Sequence, residues 1–249
     1  MTVTLEVCAG SYEDCLAAAD GGAERVELNS ALIVGGLTPT IAALRLVKQN
    51  TNLKVICMDR PREGGFIYTE LEKHQMLVDA QILLQNGADG VSFGFLADDM
   101  KVDIAETRKM TDLIHSFNKT AVFHRAFDVI SDQTEAIEAL IQCKVDRILT
   151  SGGKETAEKG ISALRDLIQG YGNKIEVLPG CGINADNVVR IVRETGAQQV
   201  HSSCKKYVKD PSTYGQDVNY SCLAHPNEYC YQAVDPRKVN DLIDKVRSW

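Results

Sequence analysis

Residues 70–93 run Glu70-Leu71-Glu72-Lys73-His74-Gln75-Met76-Leu77-Val78-Asp79-Ala80-Gln81-Ile82-Leu83-Leu84-Gln85-Asn86-Gly87-Ala88-Asp89-Gly90-Val91-Ser92-Phe93, one passage from helix to strand. From Glu70 to Gln85, Leu71, Met76, Leu77, Ala80, Leu83 and Leu84 make a broad apolar stripe, which predicts a helix packing one face on strands. Gly87 suits the left-handed position that ends a helix. Gly90-Val91-Ser92-Phe93 is too short for a second helix and fits a buried parallel strand. The same passage recurs outward in both directions, with Gly22-Ala23 before Arg25-Val26 and Gly196-Ala197 before Gln199-Val200. Short apolar runs lie near residues 3, 24, 53, 89, 119, 145, 174 and 198, among them Lys54-Val55-Ile56-Cys57-Met58 and Arg147-Ile148-Leu149-Thr150. Eight β-α units predict an α/β protein, a (β/α)8 TIM barrel that forms a single domain over residues 1–249. No G-x-G-x-x-G follows the first strand, which argues against a doubly wound dinucleotide fold. One segment, about 205–234, lacks the pattern and is expected to be an irregular top-face loop or subunit contact before a last helix from Asp235.

Composition narrows the function classes. The chain has 27 Lys plus Arg against 34 Asp plus Glu, a formal net charge of −7, and 44% apolar residues. No long basic cluster is present, so no nucleic acid and no anionic membrane is expected as a partner. A chain of this length buries enough surface to fold without a disulfide or structural metal. The first residues, Met1-Thr2-Val3-Thr4-Leu5-Glu6, lack the basic and apolar regions of a secretory signal, and no run of 18 apolar residues occurs; a cytoplasmic location is expected. Eight cysteines stand at 8, 15, 57, 143, 181, 204, 222 and 230 without a C-x-x-C pair, and they read as thiols.

In a barrel the chemistry sits at the C-terminal ends of the strands. Leu5-Glu6-Val7-Cys8 and Glu24-Arg25-Val26-Glu27-Leu28-Asn29 place a carboxylate inside each of two neighbouring strands, with Glu6 and Cys8 on one face and Glu27 and Asn29 on one face. Each carboxylate is either a general base or ligand-orienting group, or the partner of Arg25, Arg60 or Arg125 in a structural network. Strand three leaves through Asp59-Arg60-Pro61-Arg62-Glu63-Gly64-Gly65, whose guanidinium forks suit a carboxylate or phosphate or form internal salt bridges. Strand five leaves through His124-Arg125-Ala126-Phe127-Asp128, a cluster fit for acid-base chemistry. The turns Ser151-Gly152-Gly153 and Gly180-Cys181-Gly182 offer bare N–H groups to an anion, or serve only as tight turns. Strand eight ends Val200-His201-Ser202-Ser203-Cys204, so Cys8, Cys181, His201 and Cys204 come from consecutive strands and would make a soft site for Cu(I) or Zn²⁺. Buried cysteine is also a common apolar filler.

Taken together, Leu5-Glu6-Val7-Cys8, Gly22-Ala23-Glu24-Arg25-Val26-Glu27-Leu28, Gly35-Gly36-Leu37-Thr38-Pro39, Arg60-Pro61-Arg62, His124-Arg125-Ala126-Phe127-Asp128, Arg147-Ile148-Leu149-Thr150-Ser151-Gly152-Gly153 and Pro179-Gly180-Cys181-Gly182-Ile183 resemble the CutC copper homeostasis protein family. The resemblance runs in order from residue 5 to about 204. It implies a TIM barrel, a cytosolic and self-associating protein linked to copper tolerance, and a Cu(I) site built on cysteine. It also marks departures. Some members carry a cysteine after the Glu-Leu of strand two, the second of a proposed copper pair, where Asn29 stands here; Asp59 stands where a hydrophobic residue is usual, Gly65 where Asp is frequent, and Cys181 and Cys204 replace small residues.

Two functions are therefore expected. In the first, the chain is a cytosolic, homo-oligomeric copper homeostasis protein binding or handling Cu(I), with Cys8 as its ligand and Cys181 and Cys204 as further candidates; copper is the one cofactor implied, and no organic cofactor. In the second, it is a barrel enzyme, a lyase, isomerase or hydrolase acting on a small phosphorylated or carboxylated substrate. Glu27, His124 and Asp128 would then be catalytic. Glu6, Arg60, Arg62, Arg125, Ser151, Gly152, Gly153, Gly180, Gly182 and His201 would hold the small anionic ligand.

Overall fold

The computed structural model describes residues 3–248. Eight parallel strands alternate with eight helices. In order these are β1 (Thr4–Ala9), α1 (Tyr12–Asp20), β2 (Arg25–Leu28), α2 (Ile41–Asn50), β3 (Lys54–Met58), α3 (Glu70–Gln85), β4 (Gly90–Phe93) and α4 (Ile104–Ser116). The second half continues with β5 (Thr120–Phe123), α5 (Gln133–Gln142), β6 (Arg147–Thr150), α6 (Ile161–Tyr171), β7 (Glu176–Pro179), α7 (Val188–Thr195), β8 (Gln199–Ser202) and, after an antiparallel ribbon of β9 (Lys205–Lys209) and β10 (Cys230–Val234), α8 (Pro236–Arg247). The hydrogen-bonded order is β7-β6-β5-β4-β3-β2-β1-β8, so the (β/α)8 barrel expected from the repeat is present. The segment expected to be irregular begins and ends in the ribbon strands.

The barrel is closed between β7 and β8 by side chains instead of a ladder. Gln199 Nε2 donates to Glu176 Oε2 at 3.2 Å at the lower end, and Ser202 Oγ donates to the Ile183 carbonyl at 2.6 Å at the upper end. Gly180 lets the strands approach, since a Cβ there would stand 2.6 Å from Leu149 Cδ1 and 3.3 Å from His201 Cβ.

Strand alternation divides the strand residues into two sets. Val7, Val26, Leu28, Val55, Val91, Phe93, Phe123, Ile148, Val177 and Val200 belong to the continuous core with the helices. The other parity carries Glu6, Cys8, Arg25, Glu27, Ser92, Arg147, Gln199 and His201, so much of the barrel interior is polar. Helix α3 shows why a stripe needs the right phase. Met76, Ala80, Leu83 and Leu84 are buried, but Leu71 is 83% exposed. At 100° per residue, five positions before Met76 lies about 140° around the helix, away from the strands. Thr69 and Glu72 form a capping box at its start.

Candidate functional site

The lower layer of the interior is an ion-pair network set by register. Glu6 on β1 lies level with Arg25 on β2 and His201 on β8. Its Oε2 is 2.6 Å from Arg25 Nε and 3.8 Å from Arg147 Nη1, and its Oε1 is 2.9 Å from His201 Nδ1. Arg25 also donates to Gln199, and Arg147 pairs with Glu176. Burial pushes the Glu6 carboxyl up, but the hydrogen bond to His201 and the charges of Arg25, His201 and Arg147 outweigh it and bring it down to about 2. Glu6 is thus an ionised acceptor, and Nδ1 of His201 is the donor.

One layer higher, Cys8 lies level with Glu27. Their donor atoms and that of His201 all lie within 4.8 Å of one another. Glu27 Oε2 is 4.0 Å from Cys8 Sγ and 4.0 Å from His201 Nε2. Asn29 lies above this pair, its Nδ2 3.1 Å from Glu27 Oε2 and 3.8 Å from Cys8 Sγ. Room for Asn29 comes from Gly36, where a Cβ would stand 2.3 Å from Asn29 Oδ1. Burial raises the Cys8 thiol and the Glu27 carboxyl above their ordinary values. Burial would lower His201, yet its contacts with Cys8 and Glu6 and the charge of Glu27 raise it. The group therefore offers one thiol, one imidazole nitrogen and one carboxylate, with the imidazole oriented from behind by Glu6.

These residues open into a cavity of about 430 Å³ at the C-terminal mouth, which Met58, Arg60, Phe66, His124, Arg125 and Leu149 also line. Lys205 and Gln232 reach it from the ribbon, Ser202 from the end of β8, and Cys181, Gly182 and Ser203 from the loops after β7 and β8. Phe66, Lys205 and Gln232 were not among the residues expected at the site. The glycines before Phe66 marked a turn, but nothing in their spacing directs its ring to the mouth.

Several expected residues are engaged elsewhere. Asp128 accepts from Thr150 Oγ1, from the backbone N–H of Ser151 and of Gly153, and from Arg125 Nε at 2.6 Å. The Ser151-Gly152-Gly153 turn thereby binds the chain's own carboxylate. Arg62 pairs with Glu72 at 2.5 Å, bonds to three loop carbonyls and does not line the mouth cavity. Arg60 lines it, but donates to the carbonyls of Val34, Gly36 and Gly64. Cys181 Sγ points to the Glu155 carbonyl at 3.2 Å, and buried Cys204 contacts Ser202 Oγ at 3.5 Å. Neither belongs to the Cys8 group.

Fold and site define a (β/α)8-barrel protein with a thiol–imidazole–carboxylate group at the mouth of the barrel. The CutC family model matches residues 3–206. A CutC family protein of Treponema denticola is 40% identical over 247 residues, covering 99% of this chain and 98% of its own length. The mouse copper homeostasis protein cutC homolog is 36% identical, covering 96% and 87%. This chain belongs to the CutC family. The crystal structure of CutC from Streptococcus agalactiae superposes with a TM-score of 0.76 at 31% identity, covering 81% of this chain and 98% of that one.

Proposed function

We propose that this protein acts in copper homeostasis by holding Cu(I) as cargo at the barrel mouth, between Cys8 Sγ and His201 Nε2. The observation that carries this reading is the meeting of Cys8, His201 and Glu27 within 4.8 Å. Thiolate and neutral imidazole are soft and intermediate donors that suit Cu(I), whereas a carboxylate suits harder ions, so Glu27 stands beside the ion as a neighbour. Glu6 fixes the ring from Nδ1 and turns Nε2 toward Cys8 and Glu27, the usual arrangement behind a metal-ligating histidine. Cys8 and His201 Nε2 must each lose a proton to bind, since both groups are raised above their ordinary values, and the affinity therefore rises with pH. The mouse relative's name supports the copper assignment. The reading includes a cytosolic setting and self-association; no helix among the described residues is long and apolar enough to cross a membrane.

The test is anaerobic competition for Cu(I) against a calibrated chelator with wild type, Cys8→Ser and His201→Ala. One-to-one binding that is lost in Cys8→Ser and weakened in His201→Ala is expected. Weak binding that neither substitution changes would overturn the copper reading and favour a barrel enzyme acting on a small anion.

A further inference from the structure

We infer that the mouth cavity takes the phosphate group of a phosphorylated small molecule, bound by Lys205 Nζ, the Ser203 hydroxyl and the backbone N–H groups of Cys181, Gly182 and Ser203. All four residues line the cavity. Gly182 and Lys205 are exposed and Cys181 and Ser203 are half-buried, so a ligand can reach them. None of these donors has an acceptor among the described residues. Ser202, next in the chain, differs in spending its hydroxyl on the Ile183 carbonyl at 2.6 Å.

The two glycine turns of the barrel differ in what they hold. The N–H groups of Ser151 and Gly153 are spent on the Asp128 carboxylate. No carboxylate of the described residues accepts from Cys181 or Gly182. Glu155, which packs on this turn, offers Cys181 Sγ its carbonyl and gives its carboxylate to Lys159. The turn is nevertheless held in place. Asn184 Nδ2 and Asn187 Nδ2 both donate to the Gly182 carbonyl, at 3.3 and 2.9 Å, and the Cys181 carbonyl accepts the Ala157 N–H at 3.0 Å. A turn fixed through its carbonyls, with its N–H groups left open, is a preformed concavity for an anion.

Charge selects the ligand. Arg60, Arg125, His201, Lys205 and Glu27 all line the cavity. Arg125 is answered by Asp128 at 2.6 Å. Glu27 and His201, 4.0 Å apart, balance each other whichever of them holds the shared proton, and Glu6 behind them is answered by Arg25 at 2.6 Å. Arg60 donates only to carbonyls, and Lys205 Nζ has no partner among the described residues. Two positive charges therefore stand unanswered in a chain whose formal net charge is −7. A phosphate monoester, close to a dianion at neutral pH, matches them better than a carboxylate does. The cavity, about 430 Å³, far exceeds a phosphate ion, and Met58, Phe66 and Leu149 give an organic part an apolar wall. None of the donors is a copper ligand proposed above, and the inference does not depend on copper.

The experiment uses reduced, metal-free full chain, with inorganic phosphate and phenyl phosphate as probes and acetate and chloride at matched ionic strength as controls. Backbone ¹H–¹⁵N spectra and thermal melts are recorded. Saturable movement of the Cys181, Gly182 and Ser203 amide resonances is expected with both phosphates, together with a raised melting temperature and tighter binding of phenyl phosphate. Lys205→Ala should weaken binding by about tenfold or more, equivalent to about 1.4 kcal/mol. Lys174→Ala, which removes the same charge at the opposite end of the barrel, should leave it unchanged. Amides unmoved by either phosphate across the millimolar range would overturn the proposal, as would an equal response to acetate or equal losses in the two variants. Phenyl phosphate binding no tighter than inorganic phosphate would overturn it too, by assigning the turn to the free ion.

Discussion

The carboxylate of Asp128 accepts the backbone N–H of Gly153 at 3.1 Å and so fills, from the loop after β5, the anion-binding turn at the end of β6. Ser151 N–H and Arg125 Nε converge on the same carboxylate. A residue and a turn that separately look like catalytic acid and phosphate cradle satisfy one another. Asp128→Ala should therefore lower stability by about 3 kcal/mol, because buried donors and a guanidinium lose their partner. Thermal melts should also show sulfate stabilising this variant more than wild type. Equal sulfate responses would mean that the emptied turn does not bind anions.

Glu6→Gln removes the charge that Arg25 and Arg147 face inside the barrel. A loss of about 3–5 kcal/mol at neutral pH is expected from denaturant titration. The native pKa of Glu6 is brought from its ordinary 4.5 to about 2, so its contribution is complete above pH 4.5 and disappears as the pH falls through 2. The difference between wild type and variant should shrink across that window. A difference independent of pH would contradict the ion-pair account.

Asn29 stands beside the proposed copper ligand, with Nδ2 3.8 Å from Cys8 Sγ. Asn29→Cys brings a second soft donor beside the first and should tighten Cu(I) binding by at least about tenfold. The Cys181→Ser/Cys204→Ser double variant should leave the affinity unchanged, since neither thiol belongs to the Cys8 group. Chelator competition reads both outcomes, and a loss of affinity in the double variant would relocate the site.

Asp59 is fully buried, and neither of its carboxyl oxygens has a partner among the described residues. The nearby Thr38 hydroxyl is committed to the Arg60 carbonyl. Burial, with the charge of Asp79 adding, pushes the Asp59 carboxyl well above its ordinary value. Asp59→Val should stabilise by about 1–3 kcal/mol, or some 2–4 °C of melting temperature per kcal/mol in a domain of this size. A raised native pKa favours the fold at low pH and loses that advantage as the pH rises above the ordinary aspartate value. The gain in Asp59→Val should accordingly increase from pH 4 upward, and a gain that falls with pH would refute this.

The eight-fold repeat of apolar run and helix, with a glycine turn in three of its units, was legible because strand burial and helix termination are local properties. Gly22, Gly87 and Gly196 all adopt the positive φ that their places in the repeat demand. Parity along the strands also put Glu6 with Cys8 and Glu27 with Asn29. Parity does not say which neighbour each side chain meets. Glu6 turned out to be bound to Arg25 and His201 below the mouth, while Glu27 joined Cys8, because the register between strands fixes which layers coincide.

By itself, then, the sequence determined the barrel and the family, both of which follow from repeated local patterns and short motifs. Tertiary structure decided how the polar side chains are used. Arg62 was drawn to Glu72 at the start of α3, Asp128 closed the Ser151–Gly153 turn, and Cys181 and Cys204 turned to contacts of their own. Buried charge and hydrogen-bonding capacity are satisfied by whatever partner the folded backbone brings within about 3 Å, a condition set by distances in space and not by spacing along the chain.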